Sequence, residues 1–245
     1  MSKRFCSLAV VFLMIAVLPG ILVAQDSSKS FSAVGIGVKA SLLGVGGEVA
    51  TRVSRHLNLR AGANFLSYDR TFHKDGVDYA GQLQFRSGEA HLDWFPFHGS
   101  FHISPGSLIY NGNQVTANAS VGAGQSFTLN GTSYTSDAAD PVTGTGKISY
   151  QKAGPMLTVG FGNLVPRGHK HISIPFEIGA IYTRAPTLAL NLAGSACDSS
   201  GLLCQPIATD PSIQANVVAE QAKINKDMSA FKFYPVISIG FGVKF

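Results

Sequence analysis

The sequence lacks long apolar runs after its first two dozen residues. Beyond Ala24, every apolar stretch ends well before the roughly 20 consecutive apolar residues that a membrane-spanning helix needs. Charged residues are also scarce, at 13% of the chain, whereas glycine is abundant, with 27 residues. The mature sequence therefore belongs to one of two classes, an all-β soluble domain or a membrane β-barrel.

A large excess of either charge is also missing. The chain has 19 basic and 14 acidic residues. If Lys3 and Arg4 are removed with the N-terminal segment, 17 basic residues remain and the net charge falls to +3. A balance this close to neutral does not indicate a nucleic-acid partner.

The N-terminal segment has the order of a secretory signal. Lys3 and Arg4 precede a short apolar run, and the run is followed by Pro19 and Gly20 and by the small residue Ala24. We expect cleavage after Ala24. On this interpretation residues 1–24 are the signal peptide, 25–32 are a periplasmic leader, and 33–245 form the exported domain.

Cysteine is rare, and its distribution is informative. Cys6 lies in the predicted signal peptide, so the mature chain keeps only Cys197 and Cys204. An even pair in an exported protein is typical of a disulfide. A bond between them would close a small ring, worth roughly 2 to 3 kcal/mol on the chain-entropy estimate. Two free thiols are the alternative.

Apolar and polar residues alternate with a period of two in about eight segments. In the third segment, for example, Leu57, Leu59 and Ala61 alternate with Asn58 and Arg60. Such alternation predicts strands with one polar face and one apolar face. The predicted segments cover residues 33–42, 45–54, 57–68, 82–95, 101–110, 150–162, 171–183 and 230–245.

The fourth segment changes parity along its length. Leu83 and Phe85 occupy the apolar side at its start, whereas Leu92 and Trp94 occupy it at the end. A β-bulge near residues 87–88 would absorb this change. The residues that such a bulge brings to one polar face are Gln82, Gln84, Arg86, Glu89, His91 and Asp93.

The connections alternate in length. Residues 55–56, 98–100 and 165–170 form short connections, and the first connection, near Gly44, is also short. Residues 69–81, 111–149 and 184–229 form long ones. Outer-membrane barrels have short periplasmic turns and longer surface loops. The sequence therefore predicts an all-β fold, an eight-stranded antiparallel up-and-down transmembrane β-barrel.

The last long connection contains a helix signal. Asp210 is a suitable N-cap, and Pro211 suits the first helical position. Ile213, Val217 and Ile224 follow among polar residues. We predict a short helix at 212–228, which either covers the mouth of the barrel or folds partly into it, or is fully solvated.

The energy of burying charge in lipid determines which face of each strand turns inward. An arginine near the bilayer centre costs roughly 2 to 4 kcal/mol, so the polar faces must line the lumen. An eight-stranded barrel encloses only enough space for its own side chains. We therefore predict an internal polar network without an open pore, formed by Lys39, Glu48, Arg52, Arg60, Arg86, Glu89, Asp93, Lys152 and Glu177. The network would act as a polar plug or, alternatively, line a narrow gated path for ions or small solutes.

The ending of the chain carries a resemblance to a known family. Apolar side chains occupy every second position of the last residues, at Ile237, Ile239, Phe241, Val243 and Phe245. Together with the export signal and the eight segments, this ending resembles the small OmpA/OmpX/OmpW-like outer-membrane barrels of Gram-negative bacteria. The resemblance implies that the terminal row is the signal read by the barrel-assembly machinery.

Motifs for other chemistry are weak. Gly35–Ala40 matches a dinucleotide fingerprint, but the next predicted element is a strand and not the helix that holds a pyrophosphate. His169 and His171 have metal-ligand spacing, but they lie in a turn without a third ligand type. We therefore expect neither a cofactor nor a metal.

Three functions remain as hypotheses. The leading one is a structural or surface-interaction role without catalysis, in a monomer whose partners are outer-membrane lipid, lipopolysaccharide and the assembly machinery. The second is a narrow channel. The third is a lipid-modifying enzyme that uses His73 with Asp69, Asp75 and loop hydroxyls, since such chemistry needs a histidine beside an acid and a serine.

Overall fold

The computed structural model describes residues 31, 33–74, 77–97 and 99–245. The predicted signal peptide, its cleavage after Ala24 and residues 25–30 and 32 of the leader lie outside the described residues, as do Asp75 and His98. In the part of the chain that is described, no helix has the length and apolar character needed to cross a membrane.

The described chain contains sixteen strands, one α-helix and one short 3₁₀ turn. In chain order they are β1 (Val34–Ser41), β2 (Gly44–Arg52), β3 (Leu57–Lys74), β4 (Val77–Trp94), β5 (Phe101–Asn111), β6 (Gln114–Val121), β7 (Ser126–Leu129), β8 (Thr132–Ser136), β9 (Thr143–Ser149), β10 (Gly154–Phe161), β11 (Ile172–Ser173), β12 (Phe176–Tyr182), β13 (Thr187–Ala193), β14 (Ser195–Cys197), β15 (Cys204–Pro206), α1 (Pro211–Asp227), the 3₁₀ turn Met228–Ala230 and β16 (Phe233–Lys244).

Eight of these strands close into an antiparallel barrel. The order around the wall is β1, β2, β3, β4, β5, β10, β12 and β16, and β16 pairs with β1 to complete the circle. The short β11 also pairs with β16, below β12. The predicted eight-stranded antiparallel barrel is therefore confirmed. We call the end that carries the connections 53–56, 95–100 and 162–171 the lower end, and the opposite end the upper end.

The predicted bulge occurs at the expected height, but its extra residue lies in the neighbouring strand. The pairing of β4 with β5 shifts between Gly88 and Glu89, which leaves Ile109 of β5 as the additional residue. β4 itself pairs with β3 in unbroken register along its full length. The predicted change of parity in β4 is therefore wrong, and Phe85 faces inward with Glu89, whereas Arg86 is exposed.

The long upper connections form an ordered extension of the barrel. β3 and β4 continue as a hairpin above the wall, and β6, β9 and β13 add to the edge of β4. A second sheet contains β7, β8, β14 and β15. Both faces of the hairpin around Tyr68–Phe72 are exposed, so this region lacks the regular alternation of a half-buried strand. We call residues 66–84, 112–153 and 183–232 the extension.

The extension has an apolar core of its own. The buried members are Val77, Val121, Leu129, Val142, Ala196, Ile207, Ile213 and Val217. They come from the hairpin, β6, the second sheet, the helix and two connections, so the core joins these parts. The predicted disulfide between Cys197 and Cys204 is present and links β14 to β15.

The helix occurs as predicted, within one residue at each end. The side chain of Asp210 accepts hydrogen bonds from the backbone N–H groups of Ser212 (2.8 Å) and Ile213 (2.9 Å), as an N-cap residue does. The helix covers the edge strand β13, because the Asn225 side chain bonds both backbone groups of Leu188 and Gln221 accepts from the Leu190 N–H. These contacts occupy an edge that could otherwise pair with another chain.

Glycine allows a loop side chain to close the lower end. A Cβ atom on Gly242 would lie 2.2 Å from Leu164 Cδ1, and one on Gly35 would lie 2.1 Å from the Leu164 carbonyl oxygen. The backbone contact at Gly35 excludes any other residue, and a side chain at Gly242 would force the packed Leu164 side chain to move. Leu164 is 3% exposed and packs with Ala50 and Val165 as a plug.

The substitution Gly242→Ala tests this packing. We expect it to destabilise the folded barrel by about 1 to 3 kcal/mol, the usual cost of overpacking, measured by urea unfolding in lipid vesicles with the fluorescence of the only tryptophan, Trp94.

Adding Leu164→Ala should recover part of the loss, because it removes the atom that would clash. Gly81→Ala is the control, since its nearest neighbour would be 3.6 Å away. Equal losses in the Gly242 and Gly81 variants would contradict a specific clash.

Candidate functional site

The centre of the barrel lumen is occupied by Arg60 and three carboxylates. Arg60 Nε donates to both oxygens of Asp93, at 3.2 and 3.1 Å, and Nη1 donates to Glu48 Oε2 at 3.0 Å. Its Nη2 bonds Asp93 Oδ1 (3.0 Å) and Glu177. The guanidinium therefore joins β3 to β2, β4 and β12, and all four side chains are about 5% exposed or less.

A second ion pair lies beside the first. Lys39 on β1 bonds Glu89 on β4 and is 3.7 Å from Glu48 Oε2. Asn64 Nδ2 also reaches Glu89, at 3.4 Å. Glu48 thus contacts both basic groups, so Arg60 and Lys39 belong to one connected cluster. We call the group Lys39, Glu48, Arg60, Glu89, Asp93 and Glu177, with His91, His102 and Ser104, the lumen cluster.

His102 and Ser104 belong to the cluster but were missing from the predicted network. His102 Nε2 is 2.9 Å from Glu177 Oε1, and Ser104 Oγ donates to Asp93 Oδ1 at 2.7 Å. Both residues are buried. The sequence contains a signal for both residues: they alternate with Phe101 and Ile103, and this alternation places them on the inward face of β5.

Glycine on the inward face makes room for the acidic side chains. A Cβ atom on Gly62 would lie 3.2 Å from Glu89 Oε1 and 3.5 Å from Glu48 Cβ. A larger residue at this position would push the carboxylates away from their basic partners. The glycine content noted in the sequence therefore serves, at this position, to accommodate the cluster.

Three of the nine residues predicted for the network lie outside it. Arg86 is exposed because β4 keeps its register through the bulge. Lys152 is exposed in the connection before β10, which begins at Gly154 and not at residue 150. Arg52 points inward at the lower end, but Ala50 and the Leu164 plug lie between it and the cluster.

The lumen is closed at several heights. The cavity beside Arg60 has a volume of about 10 Å³, room for about one water molecule. Above the cluster, the buried apolar residues Leu43, Leu108, Met156, Ile181 and Val236 pack together, and the cavity that they border is also about 10 Å³. Below the cluster, Ala50, Leu164 and Val165 form the lower plug.

The charges of the cluster are unequal. It contains four carboxylates and two basic side chains, so its formal charge is −2 when both histidines are neutral. His91 lies beside Glu89, with 3.6 Å between His91 Nε2 and Glu89 Oε1, and His102 contacts Glu177. The arrangement can hold protons within the barrel, but it leaves no continuous space for a solute.

The other candidate groups do not form a site of comparable order. His73 pairs with Asp78 at 2.7 Å, and both side chains are exposed. The enzyme hypothesis named Asp69 and Asp75 as its acids, and Asp75 lies outside the described residues. Within the described ranges, Asp137 with Cys197 and Cys204 is the one grouping with metal-ligand spacing. The two sulfur atoms are already joined in a disulfide, whereas the thiolate is the form that binds metal.

The predicted terminal row faces away from the lumen. Ile237, Ile239, Phe241 and Phe245 have between 44% and 72% of their surface exposed, and Val243 is partly buried. These side chains form one continuous outward stripe along β16. Whether the assembly machinery reads this stripe stays a prediction.

Comparisons with known proteins support the fold. No family model and no curated protein matches the chain. Acinetobacter baumannii CarO matches at 24% identity and a TM-score of 0.56, over 89% of this chain and 99% of that one. CarO2 of the same organism matches at 19% identity and 0.56, over 87% and 98%. A major outer membrane protein from Thermus thermophilus matches at 13% identity and a TM-score of 0.34, over 86% and 99%.

The two CarO structures share the fold of this chain. The narrower family suggested by the sequence stays a prediction.

Replacing Arg60 tests how far the barrel depends on the lumen cluster. Arg60→Met should destabilise the barrel by about 3 to 5 kcal/mol, because it leaves the carboxylates of Asp93, Glu48 and Glu177 buried without their common partner. Urea unfolding in lipid vesicles measures the change.

Arg86→Met is the matched control, since the same substitution at an exposed arginine should change stability by less than about 0.5 kcal/mol. Equal effects of the two substitutions would show that the buried network contributes no more than a surface charge.

Proposed function

We propose that this chain is an outer-membrane protein whose closed barrel anchors the extension, and that the extension acts by contacting molecules outside the cell. In this proposal the protein neither conducts solutes nor catalyses a reaction. The observation that carries it is the contrast between a lumen filled by its own side chains and an extension with a separate apolar core.

The outer surface of the barrel suits lipid. The outward rows of the eight strands are apolar and carry no charged side chain below Arg86. Their exposed large members include Ile36, Val38, Val45, Val49, Leu59, Phe65, Trp94, Leu157, Phe161, Ile178, Ile239 and Phe241. Exposure of so much contiguous apolar surface to water would be unfavourable, whereas hydrocarbon accepts it without cost.

The closed lumen argues against transport. The apolar layer, the lumen cluster and the Leu164 plug succeed one another along the axis, and the two cavities found beside them each hold about 10 Å³. A path for a solute would have to separate Arg60 from its three carboxylates. That separation would expose buried charges without partners, at a cost of several kcal/mol.

The extension has the order expected of a recognition surface. Its strands β3 and β4 continue directly from the barrel wall, so the extension is held rigidly by its anchor. The disulfide constrains the β14–β15 hairpin, whose tip presents Leu202 and Leu203 with 83% and 69% of their surfaces exposed. Exposed leucines at a constrained tip are suited to contact with another molecule.

The remaining parts of the proposal follow from the sequence. Export by the predicted signal peptide, assembly through the outward row that ends at Phe245, and membership of the OmpA/OmpX/OmpW-like family are consistent with one another. Outer-membrane lipid and lipopolysaccharide would surround the apolar rows. We propose a monomer, because the barrel closes on itself and α1 covers the edge strand β13.

Conductance separates the proposed anchor from a narrow channel. The mature protein, inserted into planar bilayers, should produce no steps of current across a range of salt concentrations and voltages, because the lumen has no continuous opening. An open porin inserted under the same conditions is the positive control. Steps whose ion selectivity changes in a Glu177→Gln variant would show that the lumen conducts and would refute the anchor proposal.

Labelling of single cysteines tests whether the extension is on the cell surface. Ser133 in the extension and His169 at the lower end are both exposed. A membrane-impermeant thiol reagent should label Ser133→Cys on intact cells, but should label His169→Cys only after the outer membrane is permeabilised. The opposite pattern would place the extension in the periplasm and would exclude a surface role.

A further inference from the structure

We propose that the lower end of the barrel binds a phosphate group between Arg52 and Arg167. This site lies at the end opposite to the extension and has no part in the proposed surface role. It depends only on the barrel and its lower turns.

Arg52 reaches the lower end because of the strand period. Glu48, Ala50 and Arg52 follow one another on the inward face of β2. Glu48 joins the lumen cluster and Ala50 packs against Leu164 and Val165. Arg52 comes next, below the plug, and is separated from every carboxylate of the cluster by that apolar layer.

Arg167 is held beside Arg52 by two contacts of its own, and its turn is fixed by a third residue. Its Nη2 donates to the Ser54 carbonyl oxygen at 3.3 Å, two residues after Arg52. Its guanidinium lies 4.8 Å from the centre of the Phe95 ring, a ring that is 1% exposed. Lys244 Nζ fixes the surrounding turn by donating to the carbonyl oxygens of Pro166 (2.9 Å) and Gly168 (2.7 Å).

The two guanidinium groups present donors without acceptors. Arg52 Nε, Arg167 Nε and Arg167 Nη1 are removed from solvent and have no hydrogen-bond partner among the residues that the structure describes. Burial first, and then the positive charge of Arg52, lower the pKa of the Arg167 guanidinium. Two cations held together in this way are stabilised by an anion that accepts from both.

The lower turns supply no such anion themselves. Residues 53–56, 95–100 and 162–171 contain no aspartate or glutamate, whereas they contain Arg55, Arg167 and Lys170. The extension, in contrast, carries acids such as Asp137, Asp140 and Glu220 among its basic residues. The lower turns therefore carry basic side chains and no acidic side chain, and Arg52 and Arg167 lie partly buried beside them.

A phosphate is the anion that this geometry fits best. Guanidinium groups match the spacing of phosphate oxygens, and a phosphate offers several oxygens to two arginines at once. Exposed apolar side chains surround the same turns, with Phe97 at 75%, Ile172 at 61% and Ile174 at 65% exposure. In a membrane these residues meet lipid, so the arginines would stand at the height of the headgroups. The phosphate can come from a lipid headgroup or from free phosphate.

Native mass spectrometry of the full mature protein in a neutral detergent tests the site. Phosphatidylglycerol is titrated as the probe, and diacylglycerol with the same acyl chains lacks the phosphate. Wild-type protein should retain phosphatidylglycerol in preference to diacylglycerol. Arg52→Gln and Arg167→Gln should each weaken that binding about tenfold, the usual loss for one charge-assisted hydrogen bond.

Arg70→Gln is the matched control, because it removes the same charge from an exposed position in the extension, and it should bind like the wild type. Arg167→Lys keeps the charge and should bind better than Arg167→Gln. Heat-modifiable gel mobility establishes that each variant is folded. If Arg167→Gln fails to fold, lipid binding by Arg52→Gln and Arg167→Lys is compared with that of the wild type instead.

Competition with inorganic phosphate identifies the source. Displacement of the lipid by millimolar phosphate would show that the phosphate group alone is recognised, and resistance to displacement would assign the site to a lipid headgroup. Either result supports the proposal. Equal retention of phosphatidylglycerol by the wild type and by both glutamine variants, or equal retention of the two lipids, would overturn it. None of these outcomes depends on conductance or on the surface position of the extension.

Discussion

The interaction of Arg60 with Asp93, Glu48 and Glu177 is the constraint on which the rest of this structure depends. Side chains of a strand alternate between faces with a period of two, so a shift of one residue in any of the four strands would turn its charge toward lipid. The ion pairs therefore select one register for a large part of the wall. The apolar outward rows select the same register, because they are energetically favourable only in hydrocarbon.

Because the ion pairs lie in the lumen, the lumen cannot serve as a passage for solutes. A barrel of eight strands has little internal volume, and here the cluster, the upper apolar layer and the Leu164 plug occupy it. Glycines on the inward face, such as Gly62 and Gly242, permit this filling, because a Cβ atom would crowd Glu89 at Gly62 and clash with Leu164 at Gly242. A barrel with a closed lumen can still anchor another structure. Here β3 and β4 continue from the barrel wall into the extension and hold it in place.

The two ends of the barrel differ in the way they satisfy their polar groups. At the upper end, backbone groups pair in sheets, and the edge strand β13 is completed by Asn225 and Gln221 from α1. The lower end has only short turns, and its arginines depend on carbonyl oxygens and on the face of Phe95. The difference follows from length, because three short turns cannot supply the acceptors that an extension of more than a hundred residues contains.

Local patterns in the sequence were enough to predict the number of barrel strands, their polar and apolar faces except in the first part of β4, the helix after Asp210 and the disulfide. Each of these follows from periodicity, capping chemistry or cysteine count. They could also indicate six members of the lumen cluster, since inward charges are required wherever the other face meets lipid. The places of Arg86 and Arg52 and the partner of His102, in contrast, depend on the folded chain. The extra residue of the bulge lies in a neighbouring strand, the Leu164 plug comes from a distant turn, and the partner of His102 is 75 residues away. These are contacts between segments far apart in the chain, and no local pattern records them.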